Sequence, residues 1–148
     1  MGGRAVSGQC SGVVEESPVN GLLEQTAETL QQRISMINAA ITDLTYANMT
    51  LDDIEKEKQG AELLVPIGGS SYIKAKLANT DKVVVGMGAG VSIEKTMPEA
   101  KEIVKERLGE LETTMASVQQ QFAQVAQRIN AGRTRLERLL ATVREGKA

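Results

Sequence analysis

The sequence contains no histidine and no tryptophan, and its single cysteine is Cys10. Without histidine, and with one thiol, the chain cannot form a His/Cys zinc site, a Cys-His or Ser-His nucleophile pair, or an internal disulfide. No group of acidic residues marks a pocket that would shift a carboxyl pKa. We therefore expect no enzyme active site, no bound metal and no cofactor.

Aromatic residues and long apolar runs are also scarce. Tyr46, Tyr72 and Phe122 are the three aromatics in 148 residues, so extended packing of aliphatic side chains fits better than a compact core of large rings. No apolar run approaches the roughly 20 residues of a membrane helix, and residues 1–18 lack the apolar centre of a secretory signal. We expect a cytoplasmic protein that does not bind membranes.

Neither sign of charge dominates. The chain has 17 Lys and Arg against 19 Asp and Glu, with a net charge of -2. This balance argues against a nucleic-acid partner held by broad phosphate neutralisation.

Two segments carry the heptad spacing of a coiled-coil seam, in which apolar residues recur in steps of four and three. Ser17 and Pro18 predict the start of the first helix and Gly60 predicts its stop, so we expect a helix over 18–59 after a flexible extension over 1–17. Its seam is Leu23, Ala27, Leu30, Ile34, Ile37, Ile41, Leu44, Asn48 and Leu51.

The second seam predicts a helix over 97–145, which begins after a capping box formed by Thr96 and Glu99. Its positions are Val104, Leu108, Leu111, Met115, Val118, Phe122, Val125, Ile129, Gly132, Leu136, Leu139 and Val143. Gly132 interrupts the apolar pattern. A bend or close helix approach at Gly132 and a tolerated defect are equally compatible with the sequence.

Between the helices the apolar period changes to that of strands. Four short strands, ELLVPI, SYIKAKLA, KVVVGMG and GVSIEK, predict two hairpins within residues 62–95. Isolated two-stranded hairpins are marginal in water, and these have apolar edges, so we expect them to be covered by oligomerisation.

The resulting fold class is α+β and mainly α: a long antiparallel two-helix coiled coil with a two-hairpin insert between the helices. The chain termini then meet at the far tip of a rod. Aliphatic residues near this tip exceed what a two-helix contact buries. A groove for exposed hydrophobic segments of another protein and loosely packed, fraying ends explain them equally well.

The segment from Glu62 to Thr96, ELLVPIGGSSYIKAKLANTDKVVVGMGAGVSIEKT, resembles the two-hairpin region of the alpha class of the prefoldin family, most closely its archaeal form. The resemblance covers about residues 20–145, with a prefoldin alpha-type domain over 18–148. The beta class of this family has a single hairpin.

The resemblance implies a hexamer of two alpha and four beta subunits, whose hairpins form a double β-barrel platform. It further implies that the coiled-coil tips capture unfolded proteins without ATP and pass them to a group II chaperonin. The implied assembly residues are Leu63, Leu64, Val65, Ile67, Ile73, Leu77, Val83, Val84, Val85, Val91 and Ile93. The implied client-binding residues are Val19, Leu22, Leu23, Leu136, Leu139, Leu140 and Val143, to which Val13 and Val14 are possible additions.

A competing hypothesis is a structural or tethering coiled coil that binds no clients. It does not explain the β insert, which a simple tether does not need.

Overall fold

Two long helices flank four short strands in this computed structural model, which describes the backbone of residues 3–146 and the side chains of residues 18–146. The element order is α1 (Gly3–Lys56), β1 (Glu62–Gly68), β2 (Ser71–Lys76), β3 (Lys82–Gly88), β4 (Val91–Thr96) and α2 (Met97–Gly146). The predicted fold class, two long helices with a strand insert between them, is therefore confirmed.

Helix α1 differs from the prediction at both ends. It runs from Gly3 and continues through Pro18, which the sequence pattern treats as the first residue of the helix. A proline inside a helix removes one backbone hydrogen bond, and its ring crowds the preceding turn. Helix α1 nevertheless continues on both sides of Pro18. At the other end α1 stops at Lys56, and Gly60 lies in the following turn with a φ of 84°.

Helix α2 begins where the sequence predicts. The Oγ1 atom of Thr96 accepts a hydrogen bond from the backbone N–H of Glu99 at 3.4 Å. A second contact fixes the entry into the helix, because the N–H of Met97 donates to the carbonyl of Asp81 at 2.8 Å. The first turn of α2 is therefore held both by its own cap and by the loop before β3.

The two hairpins repeat the same geometry twenty residues apart. In β1–β2, Val65 lies opposite Ile73 and Gly68 opposite Ser71; in β3–β4, Val85 lies opposite Ile93 and Gly88 opposite Val91. Both ladders shift register just before the turn, between Pro66 and Gly68 and between Gly86 and Gly88. Each hairpin therefore has a bulge at the same place, just before its turn.

The chain divides into two compact units. The distal unit comprises residues 1–38 and 113–148, and the hairpin unit comprises residues 39–112. Within the hairpin unit, one apolar core joins the end of α1, the start of α2 and the second hairpin. Its buried members are Leu51, Val85, Met97, Ala100 and Val104.

Within the distal unit, the buried apolar side chains fall on the predicted seams. Leu30 of α1 and Val118 and Ile129 of α2 are buried, and Leu23 and Leu136 are half-buried. An ion pair joins the two helices in this unit, with a guanidinium nitrogen of Arg133 2.9 Å from Oε1 of Glu24. The heptad pattern therefore identifies the packed faces of both helices.

Candidate functional site

The first candidate surface, here called the tip surface, consists of the predicted aliphatic residues of the distal unit. Its members are Val19, Leu22, Leu23, Leu136, Leu139, Leu140 and Val143. Val19, Leu22 and Leu140 are exposed, and the Leu22 side chain is 65% accessible to solvent. The other four side chains are half-buried. Val13 and Val14 lie outside the residues whose side chains are described.

A shallow cleft of about 300 Å³ adjoins the tip surface. Val19 and Leu23 of α1 line it on one side, and Arg128 and Arg135 of α2 line it on the other. Aliphatic side chains beside arginines can contact the apolar part of a polypeptide while the guanidinium groups remain hydrated at the rim. The sequence pattern identifies the aliphatic residues but not the arginines, which lie outside the heptad seam.

The floor of this cleft contains a buried polar residue, Asn20, that the sequence analysis does not single out. Its side chain is 8% exposed, and its Oδ1 atom has no hydrogen-bond partner among the described residues. Asn20 lies directly against Gly132 on α2, where a Cβ atom would overlap Oδ1 and lie 2.9 Å from Cγ. Of the two alternatives for Gly132, the close helix approach is the one that the structure has.

The second candidate surface, here called the hairpin surface, consists of the predicted assembly residues of the two hairpins. Most are exposed, and the Val84 side chain is 71% accessible. The exposed members are Leu64, Val65, Ile67, Ile73, Val84, Val91 and Ile93. In the described part of the chain each strand pairs with one neighbour, so each hairpin keeps open edges beside these apolar side chains.

Four of the predicted assembly residues lie inward. Leu63, Leu77 and Val83 are half-buried, and Val85 is 8% exposed within the core of the hairpin unit. Since strand side chains alternate between faces, Val83 and Val85 pack on the chain's own helices while Val84 points away from them. Val85 therefore has a role within the chain, and Val84 presents the better surface to another subunit.

Arg107 holds the second hairpin against α2. One of its guanidinium nitrogens donates to the carbonyl of Gly86 at 2.8 Å and lies 3.8 Å from Sδ of Met87. This contact lies at the register shift between Gly86 and Gly88. The hairpin is thus attached both by the apolar core and by a charge-assisted hydrogen bond near its turn.

A charged cluster joins the helices next to this core. Lys101 Nζ lies 2.8 Å from Oδ1 of Asp52 and also pairs with Glu55. The hydrogen bond and positive charge of Lys101 lower the pKa of the Asp52 carboxyl. The hydrogen bonds that Lys101 donates to Asp52 and Glu55 raise its own pKa. These three side chains are partly exposed to solvent and neutralise one another as ion pairs. We therefore interpret the cluster as a contact that joins the two helices.

Exposed residues that the sequence analysis misses lie on α1. Tyr46, 66% accessible, and Met49 line a shallow groove of about 390 Å³ with Ile41 and Thr45. Tyr46 and Met49 are three residues apart and so share a helix face, but polar Thr42 and Asp53 occupy the next positions of that face, so no apolar heptad marks them in the sequence.

The described residues offer no site for a metal ion: they contain no group of three or more Cys, Asp or Glu that could coordinate one. Among the helices of the described chain, none has an apolar stretch long enough to cross a membrane.

Comparison with known proteins places this geometry in a family. The model of the family described as "Prefoldin subunit" matches residues 23–142. The prefoldin subunit alpha of Methanococcoides burtonii is 35% identical over 107 residues, covering 72% of this chain and 78% of the relative. That of Methanosarcina mazei is 33% identical over 128 residues, covering 84% of this chain and 87% of the relative.

A solved structure agrees with these sequence matches. A cryo-EM structure of filamentous PFD from Methanocaldococcus jannaschii has a TM-score of 0.66 and 26% sequence identity to this chain. The match covers 76% of this chain and 93% of that chain.

Proposed function

Since the chain belongs to the prefoldin family, whose members are chaperone subunits and not enzymes, we propose that it is the alpha subunit of a cytoplasmic hexamer of two alpha and four beta subunits. The hexamer captures non-native proteins without ATP, prevents their aggregation and passes them to a group II chaperonin.

The observation that carries this proposal is the exposed aliphatic tip surface. Val19, Leu22 and Leu140 are exposed to solvent. Val19 also lines the cleft together with Leu23. Non-native chains expose apolar side chains without a fixed arrangement, so a shallow surface of flexible aliphatic groups suits them better than a shaped pocket. Each tip contributes weak contacts, and several tips acting on one client give a much higher avidity.

The hairpin surface supports the assembly part of the proposal. Its exposed apolar side chains and open strand edges are the features that a lone chain protects poorly and that a neighbouring strand would cover. Val84 and Leu64 occupy matching positions in the two hairpins, twenty residues apart, and both are exposed. Each alpha subunit would therefore offer a docking surface on each of its two hairpins to neighbouring subunits.

The proposal is tested by light scattering of a chemically denatured client that is diluted without ATP into the preassembled complex. We expect the wild-type complex to suppress aggregation. Simultaneous replacement of Leu136, Leu139 and Leu140 by Ser should weaken suppression severalfold, because it removes apolar contact area from the tip surface.

The control is a complex of the same mass on size-exclusion chromatography, which separates loss of client binding from loss of assembly. Full suppression by the triple variant would contradict the tip assignment. A wild-type complex that assembles but does not protect several clients would favour the structural coiled coil instead.

A further inference from the structure

Within residues 18–56 of α1, the proline and glycine residues lie together at one level of the distal unit. Pro18 lacks a backbone donor, and Asn20 and Gly21 follow it in α1; these are poor helix formers. The other glycines of α1 are Gly3, Gly8 and Gly12 near its start, and residues 22–56 contain neither proline nor glycine. Gly132 of α2 lies against Asn20, so the weak turns of the two helices face each other.

The contact between these turns is itself poorly satisfied. The Oδ1 atom of Asn20 is buried without a hydrogen-bond partner among the described residues, and Gly132 contributes no side chain to pack against it. A buried acceptor without a partner loses the hydrogen bonds that water gives it in the open state. Separation of the helices at this level would restore that hydration and so costs less than separation at an all-apolar level of the seam.

We propose that Asn20 and Gly132 are positioning residues of the client surface: they fix the level at which α1 and α2 separate. Separation there uncovers Leu23, Ile129 and Leu136, which are buried or half-buried in the closed arrangement. The uncovered seam adds apolar area to the exposed Val19 and Leu22 when a non-native chain is bound. This inference rests on the proposed client capture and specifies how the same site is regulated.

Hydrogen exchange of the assembled complex tests the opening directly. Asn20→Leu replaces the unpaired oxygen by an apolar side chain of similar size, so amides near Leu23 and Ile129 should exchange about tenfold more slowly. Asn48→Leu is the matched control, because Asn48 is a half-buried seam asparagine of the hairpin unit. It should leave exchange near Asn20 unchanged.

A double-mutant cycle tests the pairing of Asn20 with Gly132. Gly132→Ala alone should speed exchange and lower the Tm, because the new methyl group overlaps the Asn20 carboxamide. Combined with Asn20→Ala, the same change should slow exchange below the wild-type rate, since the overlap is gone and alanine favours the helix. Gly109→Ala is the control on α2, where the added methyl group meets nothing within 4 Å, and it should raise the Tm by itself.

The functional measurement is client aggregation in the presence of each preassembled complex. Asn20→Leu and the double alanine variant should suppress aggregation severalfold less well than the wild type, and Asn48→Leu should match it. Unchanged exchange in Asn20→Leu, additive effects in the cycle, or slowed exchange with full suppression would each overturn the inference. The variant with Ser at positions 136, 139 and 140 distinguishes failure of this inference from failure of the proposed function. If that variant also protects clients fully, the proposed client capture is wrong. If it protects them poorly, only the inference about helix separation is wrong.

Discussion

At the scale of single residues, Lys101 and Asn20 show two outcomes for a polar group placed between paired helices. Lys101 reaches the carboxylates of Asp52 and Glu55 at the edge of the hairpin unit's core, where water also hydrates all three groups. Asn20 is enclosed in the distal unit and its Oδ1 has no partner among the described residues. The first arrangement joins two helices, whereas the second lowers the cost of separating them.

The Lys101 cluster makes a pH-dependent contribution to stability. Because the pKa of Asp52 is lowered from 3.8, its contribution is present above that value and is lost as pH falls through the lowered pKa. Because the pKa of Lys101 is raised from 10.5, its contribution is present below that value and is lost as pH rises through the raised pKa.

We therefore expect Lys101→Met to lower the Tm slightly at neutral pH, and the difference from the wild type to shrink well below pH 3.8. Thermal unfolding followed by circular dichroism measures both values. Lys105→Met removes an exposed charge four residues away on the same helix and serves as the control. An equal loss of Tm in the two variants would show that the ion pairs have no specific effect.

The sequence alone predicts which residues are buried better in the helices than in the hairpins. The heptad spacing correctly selects buried positions such as Leu30, Val118 and Ile129. In β3 the alternation of apolar and polar residues is the signal that would show which valine is buried. KVVVG is apolar at three successive positions, so this signal does not distinguish the exposed Val84 from the buried Val85. The two valines acquire different roles only when the hairpin packs on α1 and α2.

At the scale of elements, both hairpins close through two-residue loops with positive φ at each central position. These are Gly69 and Ser70, at 57° and 60°, and Ala89 and Gly90, at 50° and 75°. This is the signature of a type I′ turn, whose twist matches that of the flanking strands. Ser70 and Ala89 therefore adopt a backbone conformation that costs an L-residue about 1 kcal/mol or more.

We expect Ala89→Asn to stabilise the second hairpin by about 1 kcal/mol, because Asn-Gly is the preferred sequence of a type I′ turn. Ala89→Val should destabilise it, since a β-branched side chain fits poorly at positive φ. Urea unfolding of the two variants beside the wild type measures both changes. Equal stability of the asparagine and valine variants would contradict the turn assignment.

The element boundaries show where local signals are sufficient. The Thr96 cap and the Gly-rich turns are determined by neighbouring residues, so α2 and all four strands could be placed from sequence. The start of α1 could not, because Pro18 is compatible both with the first turn and, at some cost, with the interior of a helix. The Asn20–Gly132 contact depends on the relative register of two helices over 100 residues apart in the chain, which no local pattern specifies.

At the scale of the whole molecule, the two adjacent valines of β3 provide a test of assembly. Val84→Asp places a charge on the exposed hairpin surface, so the chain should fold but fail to join the proposed hexamer. Val85→Asp buries the charge in the chain's own core and should unfold the hairpin unit.

Circular dichroism and size-exclusion chromatography distinguish these outcomes. A normal hexamer from Val84→Asp would refute the assignment of Val84 to the assembly surface. A folded Val85→Asp chain would show that the core of the hairpin unit does not depend on Val85.

The equal spacing of the two hairpins has a genetic consequence. Because each strand, bulge and turn of the first hairpin recurs after twenty residues, the insert has the geometry of a tandem duplication. In-frame loss of one period, for example residues 69–88, would join β1 to β4 through the Ala89–Gly90 turn. Val65 would then lie opposite Ile93, and every remaining strand pair would keep its register. A single recombination event of this length therefore interconverts a two-hairpin chain and a one-hairpin chain without a frameshifted or mispaired intermediate.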